Sequence, residues 1–418
     1  MTSATCLNQR CVVKPDVTTS EDVATSEDVA TSKDVSSGQD ALDADPVLPD
    51  VATDIASPGD VATDDTPDVS VGEVYFGSFH LDSPSKLEML RGYSEITGDL
   101  TIQLNAAHVT HIELVDLQVV GGSVILTVPS SLGLVSLPAL RSIGQSFQIS
   151  QTSSLTSLAV LNLETIGTGL IVSGTSLESL YLPRLKTLGG ALFFSSNANL
   201  TSISMPVLDR IDGAVNVQSN QVLEELTLSK LRHVGGSFTI NSSKLQTISM
   251  QSLERVVANM VIFRNNALTS VRLGALTGVG PSQSGGALSI DDCPELVELQ
   301  LASLHTVEGN VTINGAKLAT LQLDKLFAVE GHLSIRSSQA LARLHMNALD
   351  TVDGTLDVGA HAALDTLQVA AIRSVGALKF QNNPKLPTCQ ATAIRDHLHQ
   401  QDWSGPVAIS GNLADTCQ

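Results

Sequence analysis

Aromatic residues are scarce in this 418-residue chain: nine Phe, three Tyr and one Trp make up 3% of it, although 42% is hydrophobic. A core must therefore be built from aliphatic side chains. Basic residues are also few, with 23 Lys and Arg against 43 Asp and Glu, which gives a net charge of −20. Such a chain repels nucleic-acid phosphates and anionic lipid headgroups, so neither is an expected partner. No apolar run reaches the roughly 18 residues that a transmembrane helix needs.

The motifs of common enzymes are missing as well. The sequence contains no Gly-x-x-x-x-Gly-Lys loop, no Gly-x-Gly-x-x-Gly fingerprint, no Gly-x-Ser-x-Gly elbow and no His-Glu-x-x-His pair. His397 and His399 suggest a metal site on paper, but residues two apart on a helix do not face each other. The sequence therefore predicts no metal, no cofactor and no catalytic residue.

Residues 1–72 form a separate segment of low complexity. They hold 15 acidic and 3 basic side chains, and the motif Thr-Ser-Glu-Asp-Val-Ala at 19–24 recurs at 25–30. Val and Ala are its only regular apolar residues, and they bury too little surface to offset chain entropy. We predict a disordered acidic tether that spans roughly 45 Å as a random coil. No signal-peptide pattern is visible in Met1 to Cys6, so either export is unconventional or the chain starts downstream of its true start; we expect the second, with an export signal or anchor upstream.

A fixed period runs through the remainder of the chain. Equivalent aliphatic residues recur every 22–23 residues, apart from one spacing of 28 at a turn-rich insertion around 280–285. These positions are Leu140, Leu163, Leu185, Leu208, Leu231, Leu253, Leu276, Leu304, Leu326, Leu349 and Ile372. Extended back to Ser94, the series gives thirteen turns, and a sustained period of this length is the signature of a solenoid.

Each turn contains two short strands. From Gly309 to Ile313, apolar and polar residues alternate, which predicts a strand with one buried face. A second strand follows, as at Leu318, Leu321 and Leu323. We interpret the Asn residues between strands as a ladder in which each side chain bonds its own turn. The sequence thus predicts a mainly β fold, a right-handed parallel β-helix of about thirteen turns with short capping helices.

The repeated pattern Leu-x-x-Val-x-Gly-x-Leu-x-Ile resembles the receptor L domain, the leucine-rich-repeat-like β-helix of insulin-type and epidermal-growth-factor-type receptors. The entry segment from Tyr93 to Ile102 and the exit from Asn382 to Cys389 are also similar to that family. The resemblance covers roughly residues 73–418, although receptor L domains have fewer turns. Long versions with acidic leaders look like bacterial surface or secreted proteins. For those, the resemblance implies binding without chemistry, outside the cell or on its surface.

Both ends of a solenoid need caps, since an open end exposes strand edges and core. Ser83 and Pro84 predict the start of a short helix at the front. Residues 391–400 predict a helix at the back, with Ile394 and Leu398 on one face. We divide the chain into the tether at 1–72, the solenoid with its first cap at 73–388, and the C-terminal cap at 389–418.

Five Cys residues are too few for a disulfide scaffold. Cys389 and Cys417 flank the last cap, and we predict a bridge between them that contributes roughly 3–4 kcal/mol in the chain-entropy model. That bridge implies an oxidising compartment. Whether Cys6 and Cys11 pair stays open, and we interpret Cys293 as a partly buried thiol.

Three functions remain open: an extracellular binding or adhesion module, a structural envelope spacer, and a β-helix enzyme that acts on polysaccharide. Such an enzyme needs paired carboxylates on one face, and the outer column of second strands has none from Tyr181 to Gln368. We therefore expect no enzyme, and we expect a monomer. The expected ligand is a protein or a polysaccharide, and the scarcity of exposed aromatics weakens the second choice.

One local exception marks a candidate partner-binding site. In the outer column of the first strands, Ile171 and Phe193 occupy adjacent turns and should lie about 5 Å apart. Ile125 lies two turns before Ile171, and Tyr181 projects from the neighbouring sheet. The segment 260–263 fits either register, because all four of its residues are apolar. We predict partner docking on these four side chains, unless a cap, a loop or the tether covers them.

Overall fold

The computed structural model describes residues 5–7, 10–12, 72–104, 108–127, 131–280 and 285–414. The chain divides into two compact units, Met1–Pro67 and Asp68–Gln418. The described part of the first unit is an antiparallel hairpin of Thr5–Leu7 and Arg10–Val12, in which Cys6 lies opposite Cys11. The rest of the predicted tether lies outside the described residues.

The second unit is a parallel β-solenoid whose largest sheet has 27 strands. Its first strands alternate buried and half-buried residues and pair in register from turn to turn. The first strands are Phe79–Leu81, Leu100–Ile102, Val124–Leu126, Phe147–Ser150, Leu170–Ser173, Leu192–Ser195, Val215–Gln218, Phe238–Asn241, Met260–Phe263, Leu288–Asp291, Val311–Asn314, Leu333–Arg336, Thr351–Gly359, Ser374–Gln381 and Val407–Ser410.

In most turns a shorter strand precedes the first strand in the same sheet. In Thr351–Gly359 and Ser374–Gln381 the two strands are continuous, and the register shifts between Val352 and Thr355. These preceding strands are Glu73–Tyr75, Tyr93–Ile96, Val119–Val120, Ser142–Ile143, Thr165–Ile166, Thr187–Leu188, Arg210–Ile211, His233–Val234, Arg255–Val256, Gly278–Val279, Thr306–Val307 and Ala328–Val329.

The second strands form four separate parallel sheets, each of three strands from consecutive turns. These second strands are His111–Glu113, Leu134–Ser136, Ser157–Ala159, Ser179–Tyr181, Ser202–Ser204, Glu225–Thr227, Thr247–Ser249, Ser270–Arg272, Glu298–Gln300, Thr320–Gln322, Arg343–His345 and Thr366–Gln368. The middle residue of each, such as Leu180 or Ile203, is buried. Leu and Ile from both strands of every turn thus form one continuous core.

The predicted number of turns is confirmed. Thirteen first strands run from Leu100–Ile102 to Ser374–Gln381, and the structure adds one strand to the ladder at each end. Phe79–Leu81 pairs before them, and Val407–Ser410 pairs after them. Each of the thirteen repeat strands is therefore paired on both sides, and the edges of the ladder lie in the cap strands.

The corner after each first strand has a positive φ in consecutive turns. Non-glycine residues take most of these positions, including Ser196 at 57°, Arg264 at 54° and Ala360 at 60°. Gly174 and Gly315 fill two of the others. Since a positive φ strains most L-residues, the paired turns on either side must hold this corner in place.

The residue after that corner is buried and forms a polar ladder. Its members include Thr175, Asn197, Asn220, Asn265 and Asn383. Asn197 Nδ2 donates to Val172 O of the preceding turn at 3.0 Å, and its Oδ1 accepts the N–H of Thr175. The prediction that these Asn side chains bond their own turn was therefore wrong in part, since they bond the preceding one.

His361 and Cys293 occupy two further positions of this ladder, and both are fully buried. Cys293 is therefore more deeply buried than predicted, and burial raises the pKa of its thiol. His361 Nε2 lies 2.9 Å from Ile335 O, and Asn383 Oδ1 accepts the N–H of His361. Desolvation lowers the pKa of His361, so the folded chain favours the neutral ring.

We expect His361 to make stability depend on pH. A lowered folded-state pKa means that the unfolded chain binds the proton more readily, so stability falls as the pH drops below about 6.5. One proton can account for at most about 1.4 kcal/mol per pH unit. The matched variant is His361→Asn, because Asn occupies the same ladder position in other turns. Urea unfolding at pH 7.5 and 5.5 should show a smaller loss for the variant; equal losses would contradict the prediction.

Short helices close both ends. The first helix is Pro84–Met89, and Ser83 precedes it as predicted, although its hydroxyl lies 3.2 Å from that of Ser85 and makes no cap bond. The second helix, Thr388–His399, begins before the predicted range 391–400, and it buries Ile394 and Leu398, the two residues predicted to share one face. Among the described residues, neither helix has the length and apolar character needed to cross a membrane.

Candidate binding face

One outward position of the first strands forms an unbroken column, and most of these strands have a second outward position two residues later. Parallel pairing in register aligns these side chains along the solenoid. The outer column consists of Thr101, Ile125, Gln148, Ile171, Phe193, Asn216, Thr239, Val261, Ser289, Thr312, Ser334, Asp357 and Lys379.

Ile171 and Phe193 are direct register partners on neighbouring strands, and both are half-buried. Ile125 lies in the same column, but Gln148 separates it from Ile171. The Gln148 amide Nε2 donates to Ser146 Oγ at 2.7 Å, so its polar end is turned back toward the residue that precedes its own strand. The column therefore brings three of the four predicted residues into one line, with an amide between two of them.

Tyr181 is placed elsewhere. It lies in Ser179–Tyr181, which pairs with Ser202–Ser204 in a separate three-stranded sheet. Its side chain is 49% exposed and does not share the column of Ile171 and Phe193. The apolar pair and Tyr181 thus belong to two different faces of the solenoid.

The segment Met260–Phe263 takes one register. Met260 and Ile262 are buried, while Val261 and Phe263 are half-buried and face outward. Phe263 pairs with Asn241 on one side and Asp291 on the other. The Arg264 guanidinium lies over its ring, 5.8 Å from the centroid. Sequence reasoning missed Phe263 as a surface aromatic, because alternation has no meaning in a run of four apolar residues.

Three amides lie between Phe193 and Phe263 on this face. Asn216 follows Phe193 in the outer column. Gln218 lies two residues after Asn216 on the same strand and pairs with Asn241 on the next strand. Asn216 Oδ1 is buried and accepts no hydrogen bond among the described residues. The structure gives no side-chain hydrogen bond for Gln218 or Asn241 within the described ranges. These amides differ from the ladder Asn residues, whose amides bond backbone carbonyls.

The C-terminal part of the same face is charged instead. Asp357 accepts a hydrogen bond from Arg336 at 2.5 Å and lies 3.3 Å from Lys379 Nζ. Asn314 Nδ2 donates to Asp291 Oδ1 at 3.0 Å. The carboxylates of this part are therefore bonded to protein groups, although Asn314 Oδ1, like Asn216 Oδ1, is buried and accepts no hydrogen bond from the described residues.

The outer positions of the second strands include one strong ion pair. Arg272 Nη2 lies 2.6 Å from Glu298 Oε2, and Ser270 Oγ donates to the same oxygen at 2.7 Å. The Arg272 hydrogen bond, followed by that of Ser270, lowers the pKa of Glu298 to about 2. A carboxylate held ionised by an arginine cannot donate a proton at neutral pH, so Glu298 is unsuited to general acid catalysis.

Among the described residues, neither metal ligands nor the groove beside the first cap helix coincides with the outer column. In the described ranges, no three residues among His, Cys, Asp and Glu are grouped closely enough to hold an ion. A groove of about 380 Å³ lies beside the first cap helix, lined by Leu87, Arg91, His111 and Asp116 among others. Its residues are not those of the outer column. The predicted bridge between Cys389 and Cys417 stays a prediction, because Cys417 lies outside the described residues.

Comparisons with known proteins add little. No family model and no curated protein matches the chain. A solved structure described as "Crystal structure of TLR13-ssRNA13 complex" is 12% identical, covering 82% of this chain and 76% of that chain, with a TM-score of 0.18. At that TM-score the likeness carries no argument. The solenoid itself rests on the strand pairing described above.

Proposed function

We propose that this protein is a non-enzymatic binding module of the receptor L-domain-like type, displayed outside the cell on the acidic segment 1–72. The observation that carries the proposal is the register pair of Ile171 and Phe193 on an outer sheet face. Elsewhere in the same column, Thr, Ser, Asn and Gln are the usual occupants. An apolar pair within a polar column is where a partner gains most from burial.

A structural spacer is the weaker candidate, because a spacer needs only uniform polar outer columns. Phe193 and Ile171 side by side on the outer face lower solubility and contribute little to the core, so a spacer gains nothing from them. Tyr181, on a separate sheet, is not part of the proposed site. The ligand is a protein or a polysaccharide, and the chain is expected to act as a monomer.

The test is the double variant Ile171→Ser with Phe193→Ser. We expect at least a tenfold loss of binding to intact cells of the producing organism, because the apolar contact is removed from the interface. The thermal midpoint should change little, since both side chains are half-buried. Sedimentation of labelled protein with the cells measures the first quantity, and circular dichroism measures the second.

The matched control is Leu161→Ser with Val207→Ser. Both residues are exposed, at 49% and 40%, and lie outside the outer column. This control should bind as well as the wild type. A stable Ile171 and Phe193 double variant with unchanged binding removes the site, and one that unfolds shows that these residues serve packing instead.

A further inference from the structure

The outer face of the first strands is uncharged over its N-terminal two thirds, although the chain has a net charge of −20. Among the described outward positions from Thr101 to Phe263, no side chain carries a charge. These positions are Thr101, Ile125, Gln148, Ser150, Ile171, Ser173, Phe193, Ser195, Asn216, Gln218, Thr239, Asn241, Val261 and Phe263. Asp291 is the first carboxylate after them.

Two aromatic rings bracket the amides on this face. Phe193 and Phe263 are three strands apart, which places them about 14 Å apart along the ladder at a spacing of ~4.8 Å per strand. Asn216, Gln218 and Asn241 lie on the two strands between them. We call this set of five side chains the amide face.

The amides of this face are not tied to other protein groups. Asn216 Oδ1 accepts no hydrogen bond from any residue that the structure describes. In the polar ladder, by contrast, Asn220 Nδ2 donates to Phe194 O at 3.1 Å. An amide both donates and accepts, so an uncommitted row of amides matches a ligand that is rich in hydroxyls.

We propose that the amide face binds a neutral polysaccharide laid along the strand ladder. Sugar hydroxyls would exchange hydrogen bonds with Gln218 and Asn241 and accept from Asn216 Nδ2, and the apolar faces of the sugar rings would pack on Phe193 and Phe263. The inference rests on the proposed function and names its ligand class.

Charge and geometry favour this ligand over the alternatives. A chain with net charge −20 repels anionic polysaccharides. The Arg264 guanidinium lies over the Phe263 ring, but its Nε is 4.0 Å from Asp292 Oδ2, so its charge is balanced within the chain. Arg210 in the neighbouring column is paired with Asp212, while Arg255 has no ion pair among the described residues, so an acidic polysaccharide is the comparison probe. A protein partner usually meets a contiguous apolar centre, whereas here the two rings are separated by amides.

The experiment is affinity electrophoresis of the full chain in native gels that contain a neutral β-glucan, mannan or soluble chitin oligomers, with polygalacturonate as the acidic probe. We expect retardation by at least one neutral glycan and none by polygalacturonate. Gln218→Glu should weaken the interaction tenfold or more, because the carboxylate loses the N–H donors and adds a charge. Phe263→Ser should weaken it similarly, because the sugar loses one of its two rings.

Gln322→Glu is the matched control. It makes the same chemical change at an exposed position of a second strand, on another sheet, and should leave retardation unchanged. Absence of retardation by every neutral glycan overturns the inference, as does retardation that Gln218→Glu and Phe263→Ser leave intact. If cell binding still depends on Ile171 and Phe193 in either case, the partner is a protein and the proposed function stands. If the wild type binds neither cells nor glycans, both fail.

Discussion

Phe194→Ala should lower the free energy of unfolding by about 3–5 kcal/mol. Phe194 is fully buried, and its neighbours in register, Val172 and Val217, are buried as well. Removing the ring leaves a cavity inside a continuous core, and the flanking turns are held by strand pairing and cannot close it. Urea unfolding followed by circular dichroism measures the loss.

The adjacent residue provides the control. Phe193→Ala removes the same number of atoms one position earlier, on the outward side of the same strand, where the ring is half-buried. We expect a loss of about 1 kcal/mol or less. Equal losses for Phe193 and Phe194 would show that the strand does not have this register, and the proposed face would then be lost with it.

Asn220→Ala should cost about 3 kcal/mol or more. Its Oδ1 accepts from Asn197 N at 3.1 Å and from Asn197 Nδ2 at 3.0 Å, while its Nδ2 donates to Phe194 O at 3.1 Å. The substitution leaves several buried groups without partners, and each orphaned group costs roughly 1–3 kcal/mol. The effect should spread to the neighbouring turn, because Asn197 is itself a member of the ladder.

Asn266→Ala is the comparison, since Asn266 is exposed and lies just after the ladder position of Asn265. Its change in stability should stay within about 0.5 kcal/mol. Hydrogen exchange resolved by segment would show where Asn220→Ala acts: faster exchange at Val172 to Asn220 supports the ladder, and exchange that is faster only at the chain ends contradicts it.

The sequence alone was sufficient for the repeat. A period of 22–23 residues and the alternation from Val311 to Ile313 are local patterns, so they predict the strand, its buried face and the number of turns without any knowledge of pairing. The same reasoning placed Ile171 and Phe193 in one column, because the period assigns every residue its position within the turn. The net charge and the absence of common enzyme motifs can also be determined from the sequence alone.

Tertiary structure decided what the local pattern leaves ambiguous. The Phe263 side chain faces outward because pairing with Asn241 and Asp291 fixes the register of a wholly apolar strand. Ser196, Arg264 and Ala360 take a positive φ with no common sequence signal, since turns above and below hold that corner. The buried Asn ladder bonds the preceding turn for the same reason. Contacts between residues about 22 positions apart are set by stacking, and no short window of the chain contains them.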